Sequence, residues 1–343
     1  MIARHVRKLD AYVPGEQPRA RRVVKLNTNE NPYPPSPSCA AVMRRFDLDR
    51  LRRYPDPVFT DLREALARLN NARPENVFVG NGSDEILSIA AKTFVEDDET
   101  IGSLDPSYSL YKTLAAIRDV KWVGVPNLKV APKSALFLLT NPNAPTGEFR
   151  EPEEIAAFAK KFRGVLIVDE AYADFSRANC MSLATANGNR NVIVMRTFSK
   201  SYSLAGLRVG YCVGPKPLID AMYKVKDSYN VDAIAQAVAL AAVKDQKWMR
   251  GNVEKVVKTR ARFAAALEKR GWDVMPSESN FVFAKPPAPV KAADLFAYLR
   301  SKNVFVRYFP GPKTGDRLRI TIGTDGQMKA LLTVIDDRFS KLR

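Results

Sequence analysis

Histidine and cysteine are scarce in this chain. His5 is the only histidine in 343 residues, and its place in the N-terminal segment suits a structural or solvent-exposed role better than a catalytic one. The three cysteines (Cys39, Cys180, Cys212) are an odd number without metal-like spacing. No metal is therefore expected, a disulfide framework is disfavoured, and a reducing cytoplasm is the expected location. No apolar run approaches the roughly 18 residues that span a bilayer. Residues 1–10 are charged where a signal peptide would be apolar, so no membrane partner is expected. There is no internal repeat, and no low-complexity stretch beyond the proline-rich residues 285–290. Positive charge, by contrast, is in excess: 54 Lys and Arg against 37 Asp and Glu give a net +17. Such a balance suits anionic partners. The basic residues are spread along the chain, however, with short clusters only at 19–22 and 50–53, and no zinc-finger, RNP or basic-zipper pattern accompanies them. A basic enzyme surface is expected, not a nucleic-acid site.

Periodicity organises the rest. Residues 10–38 are rich in proline and asparagine and read as an extended arm. Helical spacing follows at 59–69, then strand-like and helix-like units alternate. Strands are expected at 77–79, 100–104, 121–125, 135–139, 165–168, 192–195 and 208–213, with helices at 85–94, 153–162 and 217–225. Most of the strands are short apolar runs with little alternation, as befits strands covered on both faces. The order implies a large α/β domain (residues 39–230) with a mostly parallel sheet covered by helices. An arm (1–38) precedes it. A long helical connection at 234–269 leads through a smaller α+β C-terminal domain (231–343), with strands at 281–284, 304–308 and 318–322 and a helix at 292–301. Thr324 with Gln327 reads as a capping box opening the last helix.

Four clusters fall at the ends of expected strands, where open α/β sheets place ligands. Gly80-Asn81-Gly82-Ser83-Asp84 is a strand-to-helix turn whose backbone N–H groups suit a phosphate. Asn141-Pro142-Asn143-Ala144-Pro145-Thr146-Gly147 is a rigid turn. In Val168-Asp169-Glu170-Ala171-Tyr172 an aspartate ends a buried strand, which is costly unless something positive pairs with it. A protonated pyridine nitrogen is one such partner. The fourth cluster runs from Arg196 to Arg208 around Lys200. Thr197, Ser199 and Ser201 surround the lysine with hydroxyls, and Arg208 adds the planar fork that suits a dianion. This pattern suggests an amine that forms a Schiff base beside a bound phosphate.

Asp169 to Tyr172, Ser199-Lys200 and Arg208, taken jointly at this spacing, resemble the fold-type I pyridoxal-phosphate aminotransferases. Asn29-Glu30-Asn31-Pro32, Arg53-Tyr54-Pro55 and Arg319 resemble the histidinol-phosphate branch of that family. The resemblance implies pyridoxal 5'-phosphate as cofactor, with Lys200 as the Schiff-base lysine and proton carrier, Asp169 on the pyridine nitrogen and Tyr172 on the ring's phenolic oxygen. It implies that Tyr108 stacks on the ring. The backbone amides of Ser83 and Asp84, together with Thr197, Ser199 and Arg208, would hold the phosphate. Tyr54 would reach the phosphate of a neighbouring subunit, which implies a homodimer. For substrate, Arg319 would grip a carboxylate, Arg307 and Tyr12 a phosphate, and Asn29 and Glu30 would line the pocket.

Two departures stand out. Where the family has asparagine before Pro-Thr-Gly, contacting the phenolic oxygen, this chain has Ala144, and the adjacent Asn143 is the carboxamide expected to contact the cofactor instead. Only about ten residues separate Val125 from the next strand, fewer than is usual in the family. The implied reaction is transamination between histidinol phosphate and 2-oxoglutarate, an amino donor and a 2-oxo acid acceptor. Another amino acid donor, an aromatic one included, or decarboxylation of a phosphorylated amino acid on the same scaffold are the alternatives.

Overall fold

A computed structural model describes residues 1–3, 5–9, 15–19, 23–130 and 132–341. Its strands are β1 (Val24–Lys25), β2 (Val77–Gly80), β3 (Thr100–Leu104), β4 (Lys121–Val125), β5 (Leu136–Thr140), β6 (Val165–Asp169), β7 (Val192–Thr197), β8 (Gly210–Val213), β9 (Asp273–Val274), β10 (Phe281–Lys285), β11 (Val304–Phe305), β12 (Arg307–Tyr308) and β13 (Leu318–Thr321). Seven of them form the main sheet in the order β2-β8-β7-β6-β5-β3-β4. All neighbours are parallel except β8, which runs antiparallel to both β2 and β7. The expected mostly parallel, helix-covered sheet is thus present.

The sheet is buried on both faces because alternate side chains of each strand enter different cores. Leu136, Leu138, Ile167 and Ile193 pack with Ile86 and Leu87 of the helix Ser83–Phe94. Phe137, Leu139, Leu166 and Val194 pack on the other face with Ile155 and Phe158 of the helix Pro152–Lys161. Parallel register then aligns the strand ends: Thr140 pairs with Asp169, and Asp169 with Met195. On the antiparallel side Thr197 pairs with Gly210, and Gly80 with Gly210. One edge of the sheet therefore collects Gly80, Thr140, Asp169 and Thr197. A Cβ at Gly210 would lie 2.7 Å from the backbone nitrogen of Ser83; glycine is what lets that helix start so close to the sheet.

The remaining strands form a four-stranded antiparallel sheet, β12-β13-β10-β9, and a two-stranded parallel pair, β1-β11. The single strand expected at 304–308 is therefore two short ones, because Val304–Phe305 pairs with the N-terminal arm and Arg307–Tyr308 with β13. The expected helical connection at 234–269 is built of two helices, Ala233–Lys244 and Gln246–Glu268. Asp245 divides them: its carboxylate caps the second through Trp248 N–H at 3.3 Å and accepts the Ser36 hydroxyl at 2.5 Å. Three further helices, Pro37–Arg45, Leu110–Ile117 and Met181–Thr185, were not expected. The capping box at Thr324 and Gln327 is formed. Among the described residues no helix is long and apolar enough to cross a membrane.

Candidate active site

Asp169 is the last residue of β6 and is 4% exposed. Its Oδ1 accepts from Ala171 N–H at 3.1 Å and its Oδ2 from the Tyr111 hydroxyl at 2.9 Å. Tyr111 also shares a 2.6 Å hydrogen bond with Thr140 Oγ1 at the end of β5. Burial pushes the Asp169 carboxyl up to about 6, opposed by the Tyr111 hydrogen bond. A carboxylate set so deep favours a cationic neighbour.

Glu170 turns the other way. Its buried side chain takes a fork from Arg196, Nε at 3.0 Å and Nη2 at 2.8 Å. Arg196 also meets Asp174 at 3.4 Å, and Asp174 accepts the Ser201 hydroxyl at 2.5 Å. This chain of charges braces the loop that carries Lys200 against β6 and β7. Removing one partner of such a pair strands the other in a low-dielectric interior. Arg196→Ala is expected to lower the unfolding free energy by about 3–5 kcal/mol, read as a fall in the urea midpoint, and Glu170→Gln on that background should recover part of it. An unchanged midpoint would show that the network does not brace the loop.

Lys200 Nζ points into a cavity of about 580 Å³ that Asp169, Tyr172, Ser199 and Arg208 also line. It donates to the Thr28 carbonyl at 3.3 Å. Burial first, then the Arg319 charge, lowers its amine to about 8. Asn31 fastens the arm to this loop by donating to the carbonyls of Lys200 and Ser201 at 3.1 and 3.2 Å.

One end of the cavity is built for an anion. The helix Ser83–Phe94 starts there, capped by Gly82 at φ 82°, so its first N–H groups and the positive end of its dipole face the cavity. Arg208, in the left-handed region at φ 57° just before β8, donates to Ser199 Oγ at 3.2 Å, and Thr197 Oγ1 donates to the same oxygen at 2.9 Å. A Cβ at Gly82 would lie 2.5 Å from Arg208 Nη2, so a side chain there would displace the guanidinium besides straining the left-handed backbone. Tyr108 lines the cavity, its hydroxyl 3.4 Å from Asp84 Oδ1 and its ring edge-on to Tyr111.

The other end carries arginines. Arg319, on β13, donates to the Asn27 carbonyl at 3.0 Å and lies over the rings of Phe281 and Phe309. Arg307, on β12, lies over Phe309 as well. Asn29 and Glu30 line the cavity from the arm, Glu30 in an ion pair with Lys25.

Three expected residues stand apart. Asn143 does not reach the cavity: its Nδ2 donates to the Pro106 carbonyl at 3.1 Å and to Thr146 Oγ1 at 2.9 Å, and its Oδ1 accepts the Ser107 hydroxyl at 3.0 Å. That corrects its expected cofactor contact, because its polar atoms are spent clamping two loops while Ala144 lines the cavity with a methyl group. Tyr54 is 80% exposed and stacked on Tyr229 at 4.3 Å, away from the cavity. Tyr12 lies outside the described residues. His5 is 4.0 Å from Asp119 and outside the cavity. Sequence reasoning missed Tyr111, Thr140, Thr28 and Phe309. Tyr111, in the helix Leu110–Ile117, gave no signal of its own.

A family profile for aminotransferase class I and II matches residues 21–335. The histidinol-phosphate aminotransferase of Microcystis aeruginosa is 41% identical over 340 residues, 97% of this chain and 97% of that protein. The histidinol-phosphate aminotransferase of Synechocystis sp. is 43% identical over 339 residues, covering 96% of each. Among solved structures, histidinol-phosphate aminotransferase from Sinorhizobium meliloti in complex with pyridoxal-5'-phosphate matches with a TM-score of 0.90 and 25% identity, covering 100% of this chain and 98% of that one.

Proposed function

The chain belongs to the aminotransferase class I and II family, and from that premise we propose that it moves the amino group of histidinol phosphate to 2-oxoglutarate with pyridoxal 5'-phosphate as cofactor. The observation that carries this reading is one cavity lined by Lys200 and Asp169 together with Ser83, Arg208, Arg307 and Arg319. The residues fit the cofactor. A phosphate matches the helix start at Ser83 and Asp84 with Thr197, Ser199 and Arg208, a protonated ring nitrogen matches the buried Asp169 carboxylate, and Tyr172 and Tyr108 supply a phenol and a ring face. When bound, the cofactor supplies a carbonyl carbon that takes an amine and a ring that accepts the electron pair of the broken Cα–H bond.

The protein's own share is positioning and proton transfer. Lys200, with its amine lowered to about 8, would be the group that accepts the proton from the substrate Cα and carries it. Asp169, oriented by Tyr111 and Ala171 N–H, holds the proton on the ring nitrogen. Arg319 receives a carboxylate, as of 2-oxoglutarate, and Arg307 the phosphate of the amino donor, with Asn29 and Glu30 walling the same end. Tyr54, exposed and stacked on Tyr229, suits a role completed by a second copy of the chain, so a homodimer belongs to this reading. Cys39, Cys180 and Cys212 are free and buried, which suits a reducing cytoplasm.

Arg307→Ala tests the substrate. A charge-assisted fork lost from a phosphate should cut kcat/KM for histidinol phosphate roughly 10- to 100-fold while leaving unphosphorylated histidinol nearly unchanged. Equal losses on both would reject a phosphate role for Arg307.

A further inference from the structure

Phe309 follows β12 and lines the cavity, half-buried. Strand alternation sets it on the same face as Arg307. Tyr308, between them, turns the other way and packs on Phe296 of the helix Ala292–Ser301, ring centroids 5.8 Å apart. Antiparallel register places Arg307 directly opposite Arg319 of β13. Residues paired in this way have Cβ atoms about 4.5–5.5 Å apart, and like charges there repel. Two guanidiniums that stay protonated thus sit side by side on a half-buried wall.

The ring of Phe309 offsets that repulsion. Its centroid lies 5.2 Å from Arg307 Cζ and 5.1 Å from Arg319 Cζ, within the roughly 6 Å over which an aromatic face attracts a cation. One ring therefore serves both charges. A ring on the face of a guanidinium does not compete for the in-plane N–H donors with which arginine forks a phosphate or carboxylate. An acidic side chain in its place would occupy those donors and cancel the charge. The Thr314 hydroxyl, donating to the Phe309 carbonyl at 2.9 Å, ties down the backbone that presents the ring.

We infer that Phe309 is a positioning residue that determines substrate preference: its ring seats Arg307 and Arg319 together with their charge intact, and so gives the cavity its selectivity for a donor and an acceptor that each carry an anionic group. The inference rests on the reading above, in which those two arginines receive the substrates. It gives Phe309 no part in the proton transfers at Lys200.

The test compares Phe309→Leu, which keeps apolar bulk and removes the aromatic face, with Phe309→Tyr, which keeps the face. In protein loaded with pyridoxal 5'-phosphate, Phe309→Leu is expected to raise KM for histidinol phosphate and for 2-oxoglutarate about 2- to 30-fold. Its kcat should change little, the signature of lost uniform binding. Unphosphorylated histidinol offers Arg307 no phosphate and should keep its KM, and Phe309→Tyr should behave as wild type. On an Arg307→Ala background Phe309→Leu should add much less for histidinol phosphate. An equal rise in KM for histidinol and its phosphate would reduce Phe309 to an apolar wall and overturn the inference.

Melting of the cofactor-free protein reads the same seat without substrate. Phe309→Leu should lower the melting temperature more at about 10 mM salt than at about 1 M, where the Debye length has fallen from about 30 to about 3 Å. The loss should shrink on the Arg307→Ala background. A loss indifferent to both salt and Arg307 would overturn the inference as well. Should Phe309→Leu fail to fold, Phe309→Met, which adapts to irregular space without an aromatic face, carries both measurements. A wild type that does not turn over histidinol phosphate would instead overturn the functional reading, and the melting comparison would still decide whether Phe309 seats the two arginines.

Discussion

Lys200→Ala protein is expected to stay colourless in the presence of pyridoxal 5'-phosphate and to lose turnover, by roughly 10²- to 10⁴-fold from the missing proton transfer alone. The wild type should carry a visible band. Among the described residues that line the cavity Lys200 is the one lysine, so none of the others supplies a primary amine in its place. Lys200→Arg should not rescue, since a guanidinium keeps the charge but stays protonated. The pH dependence has a definite sign. Burial and Arg319 lower the amine to about 8, so raising the pH through 8 frees the lone pair, and the rate at which cofactor-free protein gains its band should rise through that midpoint. The same shift acts on stability. Between about 8 and the ordinary 10.5 the unfolded chain binds the proton that the folded chain has lost. The contribution of Lys200 to stability therefore rises with pH in that window and is a penalty below it. Melting of cofactor-free wild type against Lys200→Met should converge as pH rises toward 10.5. A coloured Lys200→Ala protein, or cofactor uptake independent of pH around 8, would remove Lys200 from its role.

Lys200, Asp169 and Arg208 were legible because each breaks a rule that the surrounding residues obey. Asp169 ends a run of four apolar residues in β6, and Lys200 interrupts a series of small hydroxyl residues after β7. The sheet was legible for a related reason: short apolar runs between helical spacings leave few arrangements other than parallel strands covered on both faces. Tyr111 obeys the rules and so stayed hidden. Buried in the helix Leu110–Ile117, it looks like an aromatic core residue, and only the register of β5 against β6, which sets Thr140 beside Asp169, shows that its hydroxyl has polar work to do. Asn143 and Ala144 illustrate a different limit. In a proline-bound turn there is no period from which side-chain direction can be read, so the choice between two neighbours waits on the loops they clamp. The division of 304–308 into two strands was hidden too, because its cause is pairing with Val24 and Lys25, some 280 residues away in sequence.

Asp169→Asn is expected to lower kcat/KM by about 10²- to 10⁴-fold, the effect of about 3–5 kcal/mol for removing one partner of a buried ion pair, while leaving the fold intact. The substitution preserves shape, and asparagine's carbonyl oxygen can still accept from Tyr111 or Ala171 N–H. It removes the negative charge that keeps a proton on the cofactor's ring nitrogen. Stability supplies an independent reading of the same charge. Without a cationic partner the Asp169 carboxyl is pushed from 3.8 up to about 6 by burial, so the folded protein binds more protons than the unfolded chain between those values. Its contribution to stability therefore falls as pH rises through that window and is a penalty above about 6. A protonated ring nitrogen relieves that penalty only when the carboxylate is charged. The gap in melting temperature between cofactor-loaded and cofactor-free wild type should accordingly widen as pH rises from about 4 to 7, whereas in Asp169→Asn this contribution to the gap should vanish. Loading at one fixed cofactor concentration and comparing both proteins across that range separates the two cases. If the gap widens equally in both, or if kcat/KM falls less than about tenfold, the buried carboxylate is not the partner of the ring nitrogen.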